Sequence, residues 1–410
     1  MAIDGLDEAR GEAFAVAEDL LVRLVGYATV IVSTRDLPRD ATPPTLVEAL
    51  RPGEVLDLDA PDVLVSGRRA LHDYVAARLA TVDPRMDPTA VAGYLSDTWS
   101  GSGDRPFLLA RLVTDQLRAV PVDTNVRDWQ RLVSHSTEQA FDLDLARISS
   151  PEHRQQVDAT TAASLARALL TALAWGYGAG LPEEEWLVVT GVLADPGPVT
   201  RENVSWVLDE LGRYVVQDGE AGLAVYRLAH QSLADHLRPA FRPSQQQPFD
   251  PAALPMARAL LDRYRALIGR GLRPEAPAYL WRYVWRHAAI AGPVGLDALR
   301  DLARTAPALT PDVALAASLI ANTFAHWGRR VDAVAPTEEA VTLRRAQAAD
   351  NPAYQPDLAG ALTNLGNRYS EVGRRADAVA PTEEAVTLRR AQAADNPAYQ
   401  PDLADALSNL

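Results

Sequence analysis

The clearest periodicity lies towards the C-terminal end of the chain. Leu358, Ala361, Leu362, Leu365 and Tyr369 fall at i, i+3, i+4, i+7 and i+11, a single apolar stripe on a helix. Asp357 after Pro356 suits an N-cap, and Gly373 suits a C-terminal stop. A second helix is predicted from about Ala376 to Ala394, closed by Asn396-Pro397, with Pro381 kinking or restarting its first turn. Neither helix can bury its stripe alone, so neighbouring units must stack.

The pattern recurs at a period of 45 residues. Gly328–Leu365 and Gly373–Leu410 differ at only three of 38 positions: Val331/Ala376, Gly360/Asp405 and Thr363/Ser408. A weaker upstream copy begins at Pro311-Asp312-Val313, in register with Pro356-Asp357-Leu358. An ordinary helical bundle does not require such identity. The last copy stops nine residues into a first helix at Leu410, without the polar capping helix that solenoids normally carry. This suggests a fragment, or an end that docks elsewhere.

Further upstream the pattern changes. Strand-like runs at Thr29–Ser33 and Val55–Leu58 alternate with helical stretches, an α/β arrangement. From about Ala90 to Ala174 the chain is helix-rich, broken at Ser149-Ser150-Pro151. Leu181–Leu193 and Arg201–Leu211 read as helices, the second with Thr200 as N-cap. Tyr214–Gln217 and Leu223–Leu228 read as strands turning at Asp218-Gly219-Glu220. Helices followed by a hairpin describe a winged helix. Gln245–Pro248 is a polar linker, and Ala253–Arg304 is helical. Trp281 and Trp285, four residues apart there, are expected in the core rather than at a site.

The NPAYQPDLA…AL.NLGNRY…GRR…A…EEAV pattern of Pro311–Leu410 resembles the tetratricopeptide (TPR) family in its longer, kinesin-light-chain-like form. That resemblance implies an α-solenoid binding a protein or peptide through exposed positions of each first helix. Asn364, Asn367, Arg368 and Glu371 are the candidates here.

Composition narrows the chemistry. The 48% hydrophobic share excludes wholesale disorder. The longest apolar runs, such as Ala28–Val32, are too short to cross a bilayer, and no signal-peptide pattern opens the chain. The absence of cysteine excludes disulfides and thiolate sites, so a soluble cytoplasmic protein is expected. A net charge of −14 argues against nucleic acid. All 40 basic residues are arginine, which excludes Schiff-base chemistry and a phosphate-binding lysine.

The opening segment Asp4-Gly5-Leu6-Asp7-Glu8-Ala9 resembles the Walker B motif of the NACHT and related STAND-class P-loop ATPases. The resemblance implies that Asp4 holds Mg²⁺ and that Asp7 and Glu8 polarise the attacking water, tasks that suit carboxylates. Ile31–Arg35 resembles the following strand, whose terminal Arg35 contacts the γ-phosphate. Gly103–Leu109 is similar to the Gly-x-Pro segment opening the next helical domain, with one extra residue before Pro106. His230, in Ala229–Leu237, matches the histidine that contacts the ADP phosphate. Capping or packing beside the wing is the alternative role for it.

The departure from that family is decisive for activity. Only three residues precede Asp4, and no Gly-x-x-x-x-Gly-Lys-Ser/Thr loop exists. Gly101-Ser102-Gly103 and Gly176–Gly180 follow no strand and are read as turns. No cofactor is expected for this chain alone, and Mg-ATP or ADP only if upstream sequence supplies the loop. Met1 is read as an internal methionine of a longer frame, which would leave residues 1 to about 70 least stable, with an unpaired sheet edge.

The expected fold is therefore mainly α: a partial P-loop α/β fragment, a helical domain, a winged helix, then a TPR α-solenoid. The boundaries are 1–85 (partial NTPase from Walker B onward), 86–175 (helical domain), 176–240 (winged-helix-like), 250–308 (helical adaptor) and 309–410 (TPR repeats, the last incomplete). Arg201–Leu211 would be the DNA-reading helix, but Glu202, Asp209 and Glu210 oppose Arg201 alone. The expected function is the protein-binding sensor arm of a STAND-type signalling protein, not an enzyme by itself, with oligomerisation implied by that class and no membrane partner. The alternative is an ATP-dependent switch completed by upstream sequence.

Overall fold

The computed structural model describes residues 1–3, 5–6, 13–34, 38–39, 42–58, 60–98, 106–148, 159–193, 199–238, 240–273, 275–395 and 399–408. The protein is mainly helical and divides into two compact units, Met1–Asp144 and Leu145–Leu410.

In the first unit, β1 (Ala2–Ile3) pairs in parallel with β2 (Ile31–Val32), Ile3 opposite Val32. A helical crossover joins them: α1 (Ala13–Ala15), a π-helical stretch (Val16–Leu21) and α2 (Val22–Leu24). β3 (Pro38–Arg39) and β4 (Thr42–Thr45) form a short antiparallel pair leading into α3 (Leu46–Leu50). Thr45 caps α3 in a reciprocal box with Glu48. The core here is small, built on Leu6, Ala13, Ala17, Leu21, Leu46 and Ala49.

Val55–Leu58 does not form the expected strand. Val55, Leu56 and Leu58 lie exposed in coil, between Pro52-Gly53 and Pro61, with no strand paired to them among the described residues. The larger core of this unit comes from α4 (Pro61–Leu79), α5 (Pro88–Thr98) and α6 (Pro106–Ala119), which bury Leu71, Val75, Leu79, Val91, Leu95 and Val113 together. α7 (Thr137–Ala146) follows, tied to α6 by Gln116, whose side chain donates to the Ala140 carbonyl (2.7 Å) and to Asp144 (2.8 Å).

The second unit begins with α8 (Ala159–Ala174), β5 (Leu181–Pro182), α9 (Glu183–Leu193) and α10 (Arg201–Leu211). Thr200 sits at the N-cap of α10, its N–H donating to the Asn203 side chain (3.0 Å). β6 (Val215–Glu220) and β7 (Leu223–Leu228) form the expected hairpin, and β5 adds to β7, giving the order β5-β7-β6. The turn lies at Ala221-Gly222, not at Asp218–Glu220. Both residues have positive φ (51° and 78°), as a two-residue type I′ turn requires, so β6 runs on through Glu220. Trp186 anchors this core, fully buried, its indole N–H donating to the Leu169 carbonyl at 2.7 Å.

α11 (Gln231–Leu237) ends this part, and α12 (Ala253–Gly269) packs back on α9. α13 (Ala278–Ile290) buries Leu280, Val284, His287 and Ala288, an i, i+4, i+7, i+8 stripe. Trp281 and Trp285 sit on its flanks and are only half-buried, because that stripe already faces the neighbouring helices.

The remaining helices stack as pairs: α14 (Pro293–Thr305), α15 (Thr310–His326), α16 (Arg330–Asp350), α17 (Gln355–Glu371), α18 (Arg375–Asp395) and α19 (Gln400–Ser408). Asp357 is not the N-cap. α17 starts two residues earlier, and Asp357 in its first turn accepts from Arg344 on α16 at 2.8 Å. Gly373 does stop α17: at φ +83° it lets the Arg374 N–H reach the Tyr369 carbonyl (2.8 Å) and its own N–H the Ser370 carbonyl (3.1 Å). Pro336 and Pro381 lie inside helices that continue through them, since a proline forfeits one backbone bond while packing holds both sides.

Pro307–His326 has the length and mean hydropathy (1.3) that could cross a bilayer, which single apolar runs did not indicate. It packs against α13, α14 and α16, burying Val313, Ala316, Ala317, Ile320 and Phe324.

Core size sets an order of stability. Amides of residues 13–50 should exchange at opening free energies several kcal/mol below those of α15–α17. Native-state hydrogen exchange checks this; equal protection in both regions would contradict it.

Candidate functional site

The helical pairs form two layers, each tied across units by side chains in register. In one layer Arg300 on α14 binds Glu339 on α16 (2.7 and 2.8 Å), and Arg345 on α16 binds Glu384 on α18 (2.5 and 3.2 Å). Both bidentate pairs span 39 residues, and both members shift by 45 from one rung to the next. The ladder draws α14 into the array, further upstream than the sequence repeat extends.

The other layer contains α15 and α17. Arg368 on α17 donates through Nη2 to Asn322 on α15 (3.2 Å) and through Nη1 to both oxygens of Glu371 (3.0 and 2.9 Å). Asn322 and Asn367 occupy equivalent positions, 45 residues apart. Asn364 and Glu371 are exposed, whereas Asn367 and Arg368 are half-buried. The four expected residues therefore share one helix face, and Asn322 joins them. Its repeat position was the signal for it. Arg368 is held mainly by Glu371 and Asn322, and its Nε is enclosed without a hydrogen-bond partner.

A shallow depression of about 440 Å³ lies between α16 and the α17–α18 turn, lined by Val331, Val334, Ala335, Glu338, Val372 and Arg374. Arg374 lies 4.2 Å over the Tyr369 ring, and the Tyr369 hydroxyl donates to Glu338 at 2.7 Å. Burial, then this bond, push the Tyr369 hydroxyl's pKa up. One wall residue, Val331, is among the three positions that differ between the copies.

Asp4, Asp7, Glu8 and Arg35, the expected nucleotide-site residues, lie outside the described residues. Described residues near them in sequence are bonded to one another. The Ser33 N–H donates to the Ile3 carbonyl (2.8 Å), the Leu6 N–H to the Ser33 carbonyl (3.0 Å), and the Gly5 N–H to the Ser33 hydroxyl (2.9 Å). The C-terminal ends of two parallel strands thus sit side by side, the edge at which open α/β sheets receive ligands.

His230 has a local structural role. It is the N-cap of α11, with φ −155°, and its Nδ1 accepts the Ser232 N–H at 3.0 Å. Gly176–Gly180 is a turn: a Cβ on Gly178 (φ +62°) would strike the Tyr283 hydroxyl, and one on Gly180 (φ +136°) the Tyr226 carbonyl. Arg201, the lone cation considered for DNA, is engaged by Glu183 (3.1 Å) and by Glu184.

No family model, curated protein or solved structure matches the chain.

The cap gives a direct prediction. His230→Ala should cost about 1 kcal/mol, and His230→Asn, which keeps an acceptor at the cap, should cost a few tenths at most. Denaturant unfolding monitored by circular dichroism distinguishes them; equal losses would remove the capping role.

Proposed function

We propose that this chain is a protein-interaction module: a TPR-like solenoid that recognises a protein or peptide through the first-helix layer, carried on a winged-helix-like part related to STAND signalling ATPases. The observation behind it is the 45-residue repeat of near-identical helical pairs, whose α15–α17 face presents Asn322, Asn364, Asn367 and Glu371 in register. Side-chain amides and a carboxylate on a preformed wall can meet the backbone and side-chain groups of an extended peptide without reordering the helices. The opposite layer is spent on its own arginine–glutamate rungs.

The test compares two multiple variants of the full chain by quantitative affinity capture and titration of recovered partners. Asn322→Ala/Asn364→Ala/Asn367→Ala/Glu371→Ala should weaken a specific partner at least tenfold. Substitutions at exposed outer positions of α16 and α18 should leave it within twofold. Equal effects, or a partner set unchanged by deleting 311–410, would sink the proposal.

An ATP-driven switch is the second proposal, supported by the parallel β1–β2 pair, whose strands precede Asp4 and Arg35 in the sequence. A lysine-free chain has no lysine ammonium to hold a β/γ-phosphate. Calorimetry with millimolar Mg-ATP is therefore expected to show no binding to this chain alone. Measurable affinity that Asp4→Ala abolishes would reverse the ranking of the two proposals.

A further inference from the structure

Three aspartates occupy the same repeat position: Asp312, Asp357 and Asp402. Two of them have a guanidinium partner. Arg344 binds Asp357 at 2.8 Å, and Arg389 binds Asp402 at 2.9 Å. The residue 45 positions before Arg344 is Leu299, fully buried on α14. Asp312 consequently has its Oδ2 enclosed with no hydrogen-bond partner, in the first turn of α15. A carboxylate with an enclosed, unpartnered oxygen is costly when charged, and protonation is the available relief.

The location gives this consequence beyond local strain. Tyr264 on α12 is fully buried, and burial and then the charge of Asp312 push its hydroxyl's pKa up. α12 packs on α9, α13 and α14, and α15 packs on α13 and α14 too, so those two helices connect Asp312's helix to the ones behind the hairpin. On α12, Arg263 is engaged by Glu185 (2.7 Å) and Arg265 by Asp262 (2.6 Å). Glu275, before α13, bears on Tyr264; His287 on α13 contacts the Tyr279 hydroxyl (2.9 Å). On α14, Arg300 is held by Asp297 and Glu339, and Arg304 by Asp301 (2.7 Å). Arg344 on α16 faces Asp357.

We propose that Asp312 makes the first turn of α15 a pH-responsive joint, closed when its carboxyl is protonated and loosened when it ionises. Burial pushes that carboxyl up to about 7, from an ordinary value of 3.8. The closed packing binds a proton that the opened chain releases. Its stability contribution is therefore complete below about pH 4, declines as pH rises, and is lost once pH passes about 7.

Hydrogen exchange of the full chain at pH 5 and pH 8, corrected for intrinsic rates, tests the joint. The opening constant at the N-terminal turns of α15 should rise at least tenfold in the wild type. In Asp312→Asn it should stay within about twofold. Asp357→Asn serves as the control at a paired position and should keep the wild-type pH response. Parallel responses of wild type and Asp312→Asn, or a flat wild type, would overturn the proposal.

Discussion

Every helical pair of the C-terminal array depends on its neighbour to hide its apolar stripe. Leu358, Leu362 and Leu365 on α17 are buried only because α16 and α18 close over them. Burying one leucine side chain stabilises by roughly 1.5–3 kcal/mol, so each contact surface between units outweighs any single polar contact. The arginine–glutamate rungs lie on top of this packing. Being partly exposed, they contribute little energy, but their bidentate geometry fits the observed alignment of neighbouring helices.

The same register shows how the array handles charge. Where an arginine is in place, a carboxylate can sit at the start of a first helix at little cost. Where Leu299 replaces it, apolar packing is gained and Asp312 keeps an enclosed carboxylate oxygen without a partner. One substitution thus changes a structural ion pair into a titrating group at the start of α15.

Much of the array was legible in the sequence because a period of 45 with 35 matches in 38 leaves little freedom. The glycine stop at Gly373 and the hairpin strands could also be read locally. Other features depended on tertiary context. The hairpin turn falls at Ala221-Gly222 because strand pairing continues through Glu220, although Gly219 is the more obvious turn residue. Val55–Leu58 has strand composition but no strand paired to it among the described residues. α14 joins the array through Arg300, yet Gly292 precedes Gly328 by 36 residues rather than 45, so no repeat was visible there. Among candidate site residues, the face carrying Asn364, Asn367, Arg368 and Glu371 followed from helical spacing. The capping geometry of His230 and the isolation of Asp312 could not follow from spacing, because both depend on which atoms lie across a fold contact.

The likeness of the two copies has a cost during folding. Between α16 and α18 only Val331/Ala376 differs, so α18 offers α15 almost the same surface as α16 does. Side-chain complementarity barely distinguishes the correct neighbour from the copy beyond it; chain connectivity makes the choice. In crowded refolding, a pair from a second molecule can fill the slot equally well. Intermolecular exchange of whole hairpins is then the characteristic failure of this architecture, and dilution rather than added stability is the remedy.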